Sequence, residues 1–173
     1  LFFGFIRKYK GLDLLLDAMS DKKISDRKIK LIIAGEFYEN EKHYRKKIND
    51  LNLSDSVYIF DHYIENNEVN NYFCAVDLVV QPYLSATQSG ISMIAFHFNK
   101  PVLATNVGGL SEYIKNGKNG YLVEPNSLEI TSCLVDYFDN NRELEFVNKI
   151  KQNKDLYSWS KLVASFEEIS NSI

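Results

Sequence analysis

The stretch D-L-V-V-Q-P-Y-L-S-A-T-Q-S-G-I-S-M-I-A-F-H-F-N-K-P-V-L-A, Asp77 to Ala104, decides the fold. Asp77 to Gln81 is a short apolar run closed by Pro82, which cannot donate to a β-ladder. After a polar loop, Gln88 to Phe98 reads as a helix, and Pro101 to Ala104 is again a strand. Strand, helix and strand in succession form a crossover unit, the building block of a parallel sheet.

The same alternation runs outward in both directions. Upstream, Leu1 to Ile6 reads as the first strand and Gly11 to Met19 as an amphipathic helix. Lys30 to Ala34 is a second strand, stopped by Gly35. Glu39 to Leu51 is a charged helix with Tyr44, Ile48 and Leu51 as its buried stripe. Ser56 to Phe60 and Glu65 to Ala75 repeat the pair. Downstream, Tyr121 to Val123 reads as a short strand near the sheet edge. Helices are expected over Ser127 to Asp139, Arg142 to Asn153 and from Ser160 onward. With no repeat, low-complexity segment or linker, the expectation is one α/β domain over residues 1–173. It is a Rossmann-like, doubly wound parallel sheet with helices on both faces.

At 173 residues the chain can bury a sizeable core, and 45% hydrophobic against 25% charged residues describes an ordinary globular domain. The formal net charge of -3 comes from interspersed signs, which argues against a nucleic-acid-binding face. Cys74 and Cys133 match no metal spacing and read as reduced core thiols. No apolar run approaches the roughly 18 residues of a membrane span. Because the chain opens on an apolar strand-like run, we expect a fragment cut at a domain boundary.

In a doubly wound sheet, ligands bind outside the carboxyl ends of the strands. The first such loop, G-F-I-R-K-Y-K-G, sets Arg7, Lys8 and Lys10 just before a helix, an arrangement suited to a diphosphate. Gly4 and Gly11 permit close backbone approach. A solvated cationic turn is the plainer alternative. The loop from Pro82 carries Ser85, Thr87, Gln88 and Ser89, with the N–H groups near Gly90 and Ile91 opening a helix. These groups suit sugar hydroxyls or a phosphate, and an ordinary helix cap would need only one of them. T-N-V-G-G-L-S-E-Y-I sets Gly108 and Gly109 before Glu112, in the first turn of a short helix. K-N-G-K-N-G, Lys115 to Gly120, reads as a plain pair of turns. Of the three histidines, His43 reads as exposed and His97 as packing. Only His62, after the third strand, lies near the expected ligand rim. No catalytic triad order, Walker loop or C-x-x-C occurs, so no self-contained active site is expected.

Six landmarks in order carry a resemblance: F-F-G-F-I-R-K-Y-K-G-L-D, L-I-I-A-G-E, V-Y-I-F-D-H-Y-I, A-V-D-L-V-V-Q-P-Y, K-P-V-L-A-T-N-V-G-G-L-S-E-Y-I and N-G-Y-L-V-E-P. A tryptophan helix around Tyr157 to Trp159 follows them. The chain resembles the C-terminal, donor-binding domain of the retaining, GT-B-fold group 1 glycosyltransferases over nearly its whole length. The resemblance implies a nucleotide-sugar-binding domain whose N-terminal acceptor domain is absent. It implies transfer of a sugar from a UDP- or GDP-sugar with retention, in polysaccharide or glycoconjugate synthesis. Gly4, Arg7 and Lys10 would hold the diphosphate, and the loop Asp61 to Ile64, with His62, Tyr63 and Ile64, would flank the base. Ser85, Thr87, Gln88, Ser89, Gly90 and Ile91 would meet the donor sugar and phosphates, with Glu112 behind them. No metal or cofactor is implied. Relatives work in the cytoplasm, some in peripheral association with the inner face of the membrane.

Two departures stand out. Many relatives have Arg directly after the first-loop glycine, where this chain has Phe5; Arg7 is the substitute. The family's paired glutamates, separated by seven residues, are missing. Ala86 or Gln88 stands near the first position and Ile94 or Ala95 near the second. The family's second glutamate holds the ribose. Its loss favours an alternative, a catalytically degenerate nucleotide-sugar-binding or regulatory module. A dehydrogenase is disfavoured, because the first loop lacks G-x-G-x-x-G and the acidic residue about 20 positions on.

Overall fold

A computed structural model describes residues 1–153. The expectations for Tyr157 to Trp159 and for a helix from Ser160 lie outside those residues. Six short strands run parallel: β1 (Phe2–Phe3), β2 (Leu31–Ala34), β3 (Val57–Phe60), β4 (Val79–Gln81), β5 (Val102–Thr105) and β6 (Gly120–Val123). They form two three-stranded sheets, ordered β1-β2-β3 and β4-β5-β6. The two abut where Leu1 N donates to Leu78 O at 2.8 Å and Leu1 O accepts from Val80 N at 2.8 Å. The spatial order is therefore β3-β2-β1-β4-β5-β6, and the direction in which successive strands are added reverses between β1 and β4, where this topology opens its crevice.

Alternation along the strands sends side chains into two cores. Phe2, Ile33, Val80 and Leu103 pack on one face against α1 (Leu12–Met19), α3 (Glu41–Asp50) and α7 (Ser127–Asp139). Phe3, Ala34, Val79 and Ala104 pack on the other against α4 (Val69–Cys74), α5 (Gly90–His97) and α6 (Leu110–Tyr113). The buried stripe of α3 is Tyr44 and Ile48, while Leu51 caps the helix half-buried. β6 is an edge strand, as expected. β3 is the other edge, with Tyr58 and Phe60 partly exposed. α8 (Glu143–Asn153) begins one residue after Arg142 and contributes Phe146 and Ile150 to the cores.

The differences from the sequence reading have local causes. The first strand is two residues long, because Gly4 adopts φ +89 and ends the ladder; Ile6 bridges back to Phe37. Gly11 caps α1 from the left-handed region, at φ 69, and does not lie inside it. Two short helices are additions: a 3-10 turn at Lys8–Lys10, and α2 (Lys22–Ser25), capped by the Asp21 carboxylate accepting from Lys23 N. Cys74 is exposed and corrects the expectation of a core thiol. Phe73 takes the inward position of α4, and the next residue turns about 100° away. Cys133 is half-buried, with its thiol pushed up to about 11 by burial and by Asp136.

Candidate functional site

The first loop becomes a site through its 3-10 turn. Arg7 precedes the turn with extended backbone and Lys10 ends it; Lys10 N donates to Arg7 O at 3.0 Å, and the two cations come close enough for the Arg7 charge to act on the Lys10 ammonium. Lys8 points elsewhere, lining a separate cleft with Asp13 and His43. His43 lies exposed on α3, as expected, with its ring bonded to Asp13 at 2.7 Å.

Lys10 is 7% exposed, yet among the described residues neither it nor Arg7 forms an ion pair. Its Nζ donates to the Phe3 carbonyl at 3.4 Å and stands 5.8 Å from the Tyr83 ring centre. Burial, helped by the Arg7 charge, lowers the ammonium to about 8. A buried cation without a carboxylate is costly, and an incoming anion relieves that cost. The Arg7 guanidinium lies 4.2 Å over the exposed ring of Tyr38, a cation–π contact that aims it across the crevice mouth.

A pocket of about 210 Å³ opens beside this pair, lined by Phe5, Glu36, Tyr63, Ile64, Asn66 and Ile94 among others. Phe5 and Tyr63 both line it, with ring centres 6.3 Å apart, and Tyr38, outside the lining, packs edge-on against Phe5 at 5.8 Å. Of the proposed base loop, Tyr63 and Ile64 reach the pocket, whereas His62 is exposed and does not line it. Of the two residues near the second missing glutamate, Ile94 faces the pocket and Ala95 is fully buried. A larger pocket, of about 300 Å³, includes Leu1, Leu31 and Leu78 at the amino ends of the strands, away from these loops.

The loop after β4 divides into two parts. Ser85, Thr87, Gln88 and Gly90 are exposed, while Ser89 is buried. Ser89 stands at the N-cap of α5, but its hydroxyl makes no cap bond. It turns inward instead, to accept from Gln81 Nε2 at 2.7 Å. Ser92 Oγ donates to Gln81 Oε1, also at 2.7 Å. Thr105 Oγ1 donates to the Tyr83 carbonyl at 2.5 Å, and the Tyr83 hydroxyl lies 3.4 Å from Ser89. Burial pushes the Tyr83 phenol up. With the Ser89 side chain diverted, the N–H groups of Gly90 and Ile91 stay open toward the loop.

Gly108 and Gly109 serve packing. Gly109 N donates to the Thr87 carbonyl at 2.9 Å, and a Cβ on Gly108 would sit 1.6 Å from the Ala86 carbonyl oxygen. This Gly-Gly turn braces the Ser85–Ile91 loop from behind. Glu112 is exposed in the first turn of α6, and a Cβ on Gly109 would lie 3.6 Å from its carboxyl group. His97 is exposed, edge-on to Phe98, where packing was expected. Lys115 to Gly120 makes one turn where a pair was expected, with φ 70 at Gly117, because Gly120 already belongs to β6 and bridges to Asn116. Sequence reasoning missed Gln81, Tyr83, Ser92 and Thr105; the one available signal was an amide at the end of a strand otherwise apolar from Leu78.

No group of three or more His, Cys, Asp or Glu among the described residues could hold a metal ion. No described helix is long and apolar enough to cross a membrane.

Residues 1–156 match the family model "Glycosyl transferases group 1". The chain is 30% identical over 184 residues to the lipopolysaccharide 1,2-N-acetylglucosaminetransferase of Salmonella typhimurium, covering 97% of this chain and 46% of that enzyme. It is also 30% identical over 181 residues to a glycosyltransferase of Methanocaldococcus jannaschii, covering 99% of this chain and 48% of the other. The chain spans about half the length of the curated relatives it matches. Among solved structures, it superposes with a TM-score of 0.81 and 23% identity on the C-terminal domain of a group 1 family protein from Francisella tularensis. That match covers 91% of this chain and 85% of the other. Anabaena HepE in complex with UDP gives a TM-score of 0.80 at 19% identity, over 99% of this chain and 49% of that one.

Proposed function

The chain belongs to the group 1 glycosyltransferases, and from that premise we propose that residues 1–173 are the donor-binding domain of a retaining enzyme. Its donor is a UDP- or GDP-sugar, and its acceptor site belongs to an N-terminal domain in the rest of the protein. The observation that carries this reading is Lys10, a buried cation with no carboxylate, beside Arg7 at the mouth of the crevice.

The chemistry follows from charge. As the bond between the anomeric carbon and the diphosphate oxygen breaks, negative charge collects on the departing nucleoside diphosphate. The acceptor hydroxyl forms the new bond to the anomeric carbon on the same face and passes its proton to the departing diphosphate oxygen. Arg7, Lys10 and the open N–H groups of Gly90 and Ile91 are fixed donors directed at that charge, so they favour the transition state over the bound donor. Gly4 admits the ammonium close to the backbone. Tyr63 and Ile64, with His62 at the rim, border the base. Ser85, Thr87 and Gln88 meet the sugar, Ser89 shapes their loop, and Glu112 stands behind it. The lipopolysaccharide N-acetylglucosaminetransferase among the relatives supports a role in surface polysaccharide or glycoconjugate synthesis; the resemblance adds a cytoplasmic location with peripheral contact of the whole enzyme at the membrane.

Titration calorimetry of the chain with UDP and GDP tests this reading. At least one binds, Lys10→Ala abolishes that binding, and the chain alone turns over no donor. Failure of every nucleoside diphosphate to bind overturns the reading. One observation favours a second: where the family carries carboxylates, this chain has Ile94 facing the pocket and Ala86 in the loop. A degenerate module would bind the diphosphate yet show no transfer in the full-length protein.

A further inference from the structure

We infer that Gln81 is a positioning residue for the donor loop, an amide that locks the first turn of α5 to the end of β4 so that the Ser85–Ile91 loop meets the distal phosphate and sugar. The inference rests on the donor-binding reading above.

Gln81 is 1% exposed, at the carboxyl end of a strand that is otherwise apolar. Strand alternation turns it, like Val79, toward the face on which α5 packs. A buried amide is tolerated only when its donor and acceptor are both used. Here both are used, and both by the same helix turn. The nitrogen donates to Ser89 at the N-cap and the oxygen accepts from Ser92 three residues on. An apolar side chain could fill this space without a desolvation cost, but it would give α5 no fixed register along the strand.

The two contacts also set the chemistry of the turn. Ser89 is drawn inward and leaves the cap position unused, so the N–H groups of Gly90 and Ile91 have no competing acceptor. Thr105, at the end of β5, holds the same corner by donating to the Tyr83 carbonyl. The exposed residues Ser85, Thr87 and Gln88 thus ride on a buried polar bracket, in a chain that has Ala86 or Gln88, and Ile94 or Ala95, near the places of the family's carboxylates. Rigid support beneath a binding loop preserves geometry that the loop alone would not hold.

Gln81→Leu removes both hydrogen bonds while keeping the volume apolar. In calorimetry with UDP and UMP, or GDP and GMP, the diphosphate should weaken at least tenfold. The monophosphate, which does not reach the donor loop, should change by less than about twofold. Unchanged diphosphate affinity, or equal losses for both ligands, overturns the inference and leaves the donor-binding reading intact. If wild type itself binds no diphosphate, that reading fails and this one with it. Should Gln81→Leu not fold, Gln81→Leu/Tyr83→Phe/Ser89→Ala/Ser92→Ala also removes the hydroxyl that Gln81 and Ser89 hold, leaves none of these groups orphaned and should show the same selective loss.

Discussion

The ammonium nitrogen of Lys10 lies 3.1 Å from the point where a side chain on Gly4 would begin. The glycine at φ +89 is what allows the cation to fold back over the end of β1, against the Phe3 carbonyl. Gly4→Ala should therefore strain the backbone, by about 1–3 kcal/mol, and displace the ammonium. Thermal melting should report the first effect. A roughly tenfold loss of UDP or GDP affinity, about 1.4 kcal/mol, should report the second. Full affinity in Gly4→Ala would sink the claim that this glycine shapes the anion site.

Burial lowers Lys10 to about 8 from an ordinary 10.5. Between those values the unfolded chain keeps a proton that the folded chain has lost, so stability of the free protein rises with pH across that window. Diphosphate binding has the opposite sign, because it needs the proton in place. Affinity should be flat below pH 8 and fall above it by up to about tenfold per pH unit. Calorimetry from pH 7 to 9.5 checks this; an affinity unchanged across that range would show that binding does not depend on the Lys10 proton.

How much of this was legible beforehand varies with the kind of interaction. The strand-and-helix alternation from Asp77 to Ala104 made the fold readable, because period-2 and period-3.6 patterns are local. Arg7 and Lys10 were visible as cations before a helix. That the two come close enough for one charge to act on the other depended on the 3-10 turn between them, which no pattern over three residues announces. The roles of Ser89 and Gln81 were hidden, because a serine before a helix looks like a cap until its partner eight residues away is placed. Gly108 looked like turn punctuation, and its contact with the Ala86 carbonyl exists only in three dimensions.

Two glycines with similar dihedrals separate conformational cost from packing cost. Gly108 (φ +53) would place a Cβ 1.6 Å from the Ala86 carbonyl oxygen, whereas Gly117 (φ +70) has nothing within 4 Å. Gly117→Ala should cost about 1–2 kcal/mol, the price of the left-handed conformation. Gly108→Ala should cost that plus a backbone displacement, at least about 3 kcal/mol in total, and should also weaken diphosphate binding by moving the Ser85–Ile91 loop. Urea denaturation of both variants measures the difference; equal midpoints would show that the two loops do not brace one another.

Ile94 offers the sharpest test of how this chain handles the ribose. It lines the pocket with Gly4, Glu36 and Tyr63, at the place where the resemblance expects a carboxylate that binds the sugar hydroxyls. An aliphatic side chain cannot accept a hydrogen bond, so wild type should distinguish UDP from dUDP, or GDP from dGDP, by no more than about threefold, since about 1.4 kcal/mol is needed for tenfold. Ile94→Glu supplies the acceptor, and hydrogen bonds to a charged group contribute about 1.5–3 kcal/mol. The variant should therefore prefer the ribonucleotide by at least about tenfold. Glu36 lines the same pocket, and its like charge raises the carboxyl pKa of the variant. The gain should accordingly grow between pH 5 and 8 as the introduced group ionises. Ile94→Gln, which bonds without charge, should show a smaller preference and no such growth. If wild type already rejects the deoxynucleotide tenfold, another group holds the ribose, and Glu36 becomes the residue to substitute next.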